Sequence, residues 1–415
     1  MMWKAKKARL SLSHPHVDVS TRLHRPPSRS RHRADGLVTK IRKPAMITEP
    51  PFRAEHVGSL LRPPEIKEAR AKLERKEISP SDLKDIEDQA VRRAVRKQES
   101  LGLKVVTDGE YRRSFWSRDF FRHLDNVETF STPDVKRFEG RQPKTLAHRP
   151  TARLGSFSGH PMIDHFRYLK SVSSPGSVPK MTIPAPSAFL AHRGKTIIDG
   201  SVYDSFEEFY ADLAQTYRQI VRAFGDAGCR YLQLDEVYMI VLVDPKQRQF
   251  FVEHGNDAEK LPDLYSQATN IALSDKPADM VTGMHLCRGN FRSTFQGAGG
   301  YDAIADILFN KTSIDAYFME YDTERAGGFE PLRLVPKGKK VVLGLVTSKT
   351  GKLESKDEIK RRVEAATQFI DIDQLRLSPQ CGFASTEEGN LLTEDEQWAK
   401  LALVVEVADE IWGGR

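Results

Sequence analysis

From Phe52 onward the chain alternates short apolar runs with helical stretches, and this alternation narrows the possible folds more than any other feature. Eight runs read as strands: "FRAEHVGSLL", "LKVVTDGEY", "KMTIPAPS", "YLQLDEVY", "MVTGMHLC", "IDAYFMEYD", "KVVLGLVTSK" and "QLRLSPQCGF". The clearest intervening helix has Ser79 as N-cap, Pro80 at its first position, and Asp82 and Asp85 in its first turn. Leu83, Ile86, Ala90, Ala94 and Leu101 follow helical spacing, and Gly102 stops it. A second helix is expected from Phe206 to Phe224, ending at Gly228. In a third, Ile359, Val363, Ala366 and Ile370 share one face. Eight βα units in series predict an α/β fold of the (β/α)8 TIM-barrel type, and 415 residues are enough for it. The Gly-, Pro- and Ser-rich stretch from about Leu124 to Ser177 is too long for a plain βα loop. It is expected to be a hairpin-like insertion between strands 2 and 3, over the barrel mouth.

Charge separates a tail from this body. The net charge is +7, yet residues 1–45 alone hold 12 Lys or Arg against Asp18 and Asp35, so the rest carries −3. Basic, Pro- and Ser-rich sequence of this kind cannot build a core, which predicts a disordered extension over 1–45 and a catalytic domain over 46–415. The tail has no apolar h-region and no aromatic interleaving, so neither secretion nor nucleic-acid binding is expected. No apolar run approaches the ~18 residues of a membrane span. Three cysteines cannot form a disulfide framework, which points to a reducing, cytoplasmic setting. Nothing in the sequence sets an oligomeric state.

In a barrel of this type the chemistry sits at the C-terminal ends of the strands. Ser59, Glu110, Asp235, His285, Cys287, Glu320 and Cys381 all fall at such ends, on six different units. Singly, each has a plain explanation as a packed His or Cys, or as a solvated carboxylate. Cys229, placed before a strand, reads as structural. Together, two thiols, one imidazole and one carboxylate on the later strands suit a tetrahedral Zn2+ site. The ligands are scattered rather than paired as C-x2-C, so the finished fold must assemble the site, which favours a catalytic role. Two thiolates and a carboxylate make the metal electron-rich. It is then a poor Lewis acid for hydrolysis and well suited to holding a substrate thiol as thiolate.

At these residues the chain resembles the C-terminal barrel of cobalamin-independent methionine synthases, and more closely their short single-barrel relatives. The matching motifs are "HVGSLLRP", "VTDGEYRRS", "YLQLDEVY", "GMHLCRGN", "YFMEYD" and "SPQCGF", spread over about Phe52 to Gly413. The resemblance implies zinc ligands at His285, Cys287, Glu320 and Cys381. It implies a zinc-dependent S-methyltransferase in which the homocysteine sulfur attacks the methyl group of 5-methyltetrahydrofolate or a related donor. Residues matching Ser59, Glu110 and Asp235 would hold the amino-acid end of homocysteine, with Glu320 and Asp235 taking part in catalysis. Glu320 is the ligand expected to yield to the thiol. An alternative on the same scaffold is another zinc-dependent thiol alkyltransferase or lyase, of the epoxyalkane–coenzyme M kind. A sulfonate thiol would call on Arg112, Arg113 or Arg118. The chain departs from the family in having no room for a second, N-terminal barrel. It has Lys349 where the family has a histidine after the seventh strand, and Phe189 nearest to where the longer members place a tryptophan. The thiol half of the site therefore matches the family more fully than the methyl-donor half.

Overall fold

The computed structural model describes residues 49–132, 138, 146–194, 197–198 and 200–413. The predicted extension over 1–45 lies outside them. The strands, in chain order, are β1 (Val105–Val106), β2 (Val127–Ser131), β3 (Leu146–Pro150), β4 (Val178–Pro179) and β5 (Met181–Pro184). They continue with β6 (Tyr231–Glu236), β7 (Val281–Leu286), β8 (Ala316–Glu320), β9 (Lys340–Val346) and β10 (Leu375–Pro379). Strands β5 to β10 form one six-stranded parallel sheet in sequential order. Each is linked to the next through helical segments, as parallel pairing requires. These strands are buried along almost their whole length, which is why they read as near-continuous apolar runs rather than alternating ones.

Two further pairings extend this frame. Strand β1 pairs in parallel with β4, just ahead of β5. On the other side, Ala54 forms a parallel bridge to Leu377 in β10. The Glu55 N–H donates to the Leu377 carbonyl at 2.8 Å, and the Leu60 N–H donates to the Gly109 carbonyl at 3.0 Å. The first apolar run thus lies between β10 and the end of β1, bonded to both. Outside its single bridge it has no regular ladder.

The helices form largely where their signals lie. Pro80–Ser100 begins with a capping box between Ser79 and Asp82, and Gly102 beyond its end has φ +88°. Phe206–Asp226 buries Phe209, Leu213, Ile220 and Phe224 on one face. Lys356–Ala366 buries Ile359, Val363 and Ala366 but stops at Thr367, so Ile370 is buried from beyond the helix rather than on its face. The larger difference falls in the 124–177 stretch. Strands β2 and β3 do pair antiparallel, as a hairpin-like element would. Pro161–Val172, however, is a helix capped by His160, and its Phe166 packs edge-on against Phe224 of the neighbouring helix. Met162, Ile163, Phe166 and Leu169 carry that helix, a short apolar pattern that the flanking Gly, Pro and Ser obscure.

Candidate functional site

Register places the polar strand ends side by side. Asp235 on β6 lies opposite His285 on β7, and Glu320 at the end of β8 lies opposite Gly344 on β9. Cys287 follows β7 directly, its N–H donating to the Glu236 carbonyl at 2.8 Å. Cys381 follows β10, after Gln380 has donated its N–H to the Val346 carbonyl.

The four predicted ligands come together. One donor atom from each of His285, Cys287, Glu320 and Cys381 lies within 4.8 Å of all the others, and all four residues are buried. His285 Nε2 is 3.4 Å from Cys381 Sγ, and the two sulfurs are 3.7 Å apart. A tetrahedral zinc with Zn–S about 2.3 Å and Zn–N about 2.0–2.1 Å has an S–S edge of about 3.8 Å and an N–S edge of about 3.6 Å. These two separations match those edges, so His285 and the two cysteines fit the ion in chemistry and in spacing, and Glu320 completes the donor set in chemistry. The ligands also act on one another. The hydrogen bond shared with Cys287 and the His285 charge hold the Cys381 thiol well below its ordinary range despite burial. The Cys287 thiol is pushed up, by that same contact and by burial. Burial opposes the His285 imidazolium, but Cys381, Asp235 and Glu320 outweigh it and raise its pKa. Lys349 has a buried Nζ with no hydrogen-bond partner, and its charge favours both thiolates.

Glu320 is held from outside this quartet. Its Oε1 accepts from the Arg288 backbone N–H at 2.6 Å, and its Oε2 accepts from Arg325 at 2.9 Å.

Beside the quartet opens a pocket lined by Ser59, Glu110, Asp235, His285, Cys287 and Cys381 among others. Glu110 takes a left-handed backbone, φ +58°, a strained conformation for a residue with a side chain. Its Oε1 accepts from Thr182 Oγ1 at 2.9 Å, while its Oε2 is buried with no partner. Asp235 is oriented by Gln233, whose Nε2 donates to Oδ1 at 2.8 Å. Burial, then the charge of Glu110, push the Asp235 carboxyl up to about 7. Burial and the neighbouring Glu110 disfavour ionisation of Asp235, and the two buried carboxyl groups together form a receptor for a cation. Ser59 Oγ stands against the chain at Gly382, where an added Cβ would fall 1.9 Å from it. Only glycine allows this approach.

Other residues noted in the sequence lie elsewhere. Arg112 pairs with Asp88 and stacks over Tyr168; Arg113 donates to the Thr182 carbonyl and lies 3.5 Å from Glu110. Neither these two nor Arg118 lines the pocket. Phe189 packs in the core against Phe121 and Phe209. Cys229 is fully buried away from the quartet, donating to the Tyr231 carbonyl. Sequence reasoning missed the pocket's aromatic wall of Phe115, Trp116, Phe138, Tyr238 and Phe291. Trp116 is pinned there by its N–H to the Ser385 carbonyl at 2.9 Å. For Phe115, Trp116, Tyr238 and Phe291 the signal was their position at or just after strand-end motifs; Phe138, inside the 124–177 stretch, had none. Arg325 was also missed. Among the described residues, no helix is long and apolar enough to cross a membrane.

A family model described as the catalytic domain of cobalamin-independent synthases matches residues 52–148 and 185–410. The uncharacterized protein YxjH of Bacillus subtilis is 46% identical over 364 residues, covering 87% of this chain and 95% of its own length. A crystal structure described as a putative vitamin-B12 independent methionine synthase from Listeria monocytogenes is similar at TM-score 0.68. It shares 39% identity and covers 88% of this chain and 98% of that one. A B12-independent methionine synthase from Shewanella sp. W3-18-1, in complex with selenomethionine, has the same fold. Its TM-score is 0.66 at 18% identity, with 86% of this chain and 97% of that one covered.

Proposed function

The chain belongs to the family of cobalamin-independent synthase catalytic domains, and from that membership we propose that it is a zinc-dependent S-methyltransferase forming methionine from homocysteine. The observation that carries this reading is the His285–Cys287–Glu320–Cys381 quartet, three of whose members line the same pocket as the Glu110–Asp235 carboxylate pair. Zinc bound by the quartet supplies a Lewis acid that keeps a substrate thiol deprotonated at neutral pH. The carboxylates of Glu110 and Asp235 hold the α-ammonium group of the amino acid. Ser59 Oγ donates to its carboxylate. These contacts aim the sulfur at the two cysteines, and the aromatic wall excludes water and receives the methyl donor. We assign 5-methyltetrahydrofolate, or a related methyl carrier, to that aromatic side.

The same reading closes the sheet. Bonds from the Phe52–Leu60 segment to both β10 and the end of β1 support an eight-stranded (β/α)8 barrel, with the β2–β3 pair as part of an insertion near its mouth. A sulfonate thiol of the coenzyme M kind is less well served, because Arg112 is paired with Asp88, Arg113 is held by Thr182 and Glu110, and no lysine or arginine lines the pocket among the described residues.

Zinc-edge X-ray absorption with and without homocysteine tests the reading. Two sulfurs on the zinc should become three when homocysteine is added. An unchanged count would mean that the thiol substrate is a different one.

A further inference from the structure

The quartet places a buried carboxylate among two thiols, and that carboxylate has a second set of partners ready. Glu320 is fully buried, and both of its oxygens already accept hydrogen bonds from outside the cluster, from the Arg288 N–H and from Arg325. Arg325 sits on a short turn five residues beyond Glu320. Its guanidinium also bonds Asp322 at 3.1 Å and lies 4.6 Å over the Phe295 ring, which fixes it in place. A buried carboxylate released without a partner would be strongly disfavoured. With these two donors in position, that penalty does not arise.

We propose that Arg325 is a positioning residue that, together with the Arg288 N–H, receives the Glu320 carboxylate when the substrate sulfur takes its place among the metal donors. The inference rests on the proposed function and specifies how the site admits its thiol. The exchange balances. One metal–oxygen contact breaks and one metal–sulfur contact forms, the thiol proton leaves to solvent, and one anionic ligand replaces another. The net charge of the centre is unchanged. The carboxylate stays where it is already hydrogen-bonded, so the surrounding structure need not rearrange. Arg325 acts through Glu320 and does not touch substrate.

The test uses the full chain, as wild type, Arg325→Met and Arg325→Lys. Zinc affinity is measured by competition with a chromogenic chelator, with and without homocysteine. By linkage, homocysteine should tighten zinc in the wild type. In Arg325→Met that tightening should shrink about tenfold or more, while affinity for zinc alone is unchanged or higher, because the partner competing for Glu320 is gone. Arg325→Lys should recover part of the effect. Equal tightening in Arg325→Met and wild type would overturn the role of Arg325 and leave the proposed function standing. No tightening in the wild type would overturn both. A second measurement does not depend on how the variants fold. At the zinc edge of the wild type, homocysteine should add one sulfur and remove one oxygen. A sulfur gained with the oxygen retained would mean that the shell expands and that no carboxylate is released.

Discussion

What surrounds each sulfur sets the three cysteines apart. Cys229 donates to a backbone carbonyl in an apolar setting, and burial pushes its thiol up to about 12, so it stays protonated and inert. Cys287 and Cys381 face each other and a histidine. Cys287→Ser or Cys381→Ser should weaken zinc at least about 100-fold, beyond the loss of an outer-shell partner, with the thermal melt retained. Cys229→Ser should leave zinc content unchanged. Full activity in either site variant would remove the metal assignment. Asp235 gives a prediction of a different kind. Its folded pKa of about 7 lies above the unfolded value near 3.9, so its neutral form contributes stability that is full below about pH 4 and lost as pH rises through about 7. Without ligand, Asp235→Asn should therefore melt higher than wild type at pH 8, with the difference closing toward pH 4. Homocysteine should bind tens-fold more weakly to it above pH 7, with zinc retained, since a charge-assisted contact is worth about 1.5–3 kcal/mol. A melt difference that did not change with pH would refute this account. All seven site residues could be proposed from sequence because each is a polar residue ending an apolar run. Arg325 could not, because a short turn folds it back onto Glu320 and no periodicity marks such a turn.

At the scale of elements, local chemistry decides which helices announce themselves. Ser79, Pro80 and Asp82 satisfy the first N–H groups of Pro80–Ser100, and that pattern is written within four residues. Ser79→Ala should destabilise the protein by about 1 kcal/mol in urea unfolding, with zinc and homocysteine binding unchanged, because the cap is exposed and takes no part in the pocket lining. A shift in homocysteine affinity would mean that this helix end is coupled to the site. Pro161–Val172 was hidden because it is short and its boundaries are composed like a loop, so its existence depends on burial of Phe166 against Phe224 rather than on propensity. The first strand was legible as an apolar run. It pairs through isolated bonds only, since Gly58 and the turn into "SLLRPP" break its ladder early.

Across the whole molecule, the site depends on a seam between the two ends of the folded chain. The Phe383 N–H donates to the Ser59 carbonyl at 2.9 Å, Arg62 donates to the Ala384 carbonyl at 2.8 Å, and the Leu61 N–H donates to Gln397 at 2.7 Å. Ser59 and Cys381 thus share one pocket while lying more than 300 residues apart in the chain. Gly382 is the tightest point of this seam. A Cβ there would lie 1.9 Å from Ser59 Oγ, 3.1 Å from its Cβ and 3.4 Å from its N. Rotating the hydroxyl away relieves only the first contact. Gly382→Ala should therefore cost about 1–3 kcal/mol, the range for overpacking, and weaken homocysteine about tenfold by turning Ser59 out of the site. Ser59→Ala in the same chain removes the colliding oxygen but leaves the Cβ and N contacts, so it should recover only part of the stability. It should not recover homocysteine affinity, because the carboxylate donor is gone. Urea unfolding and calorimetric titration of the two single variants and the double variant separate the steric part from the chemical part. If Gly382→Ala matched wild type in both measurements, the seam would not position Ser59, and the first segment would be packing rather than part of the site.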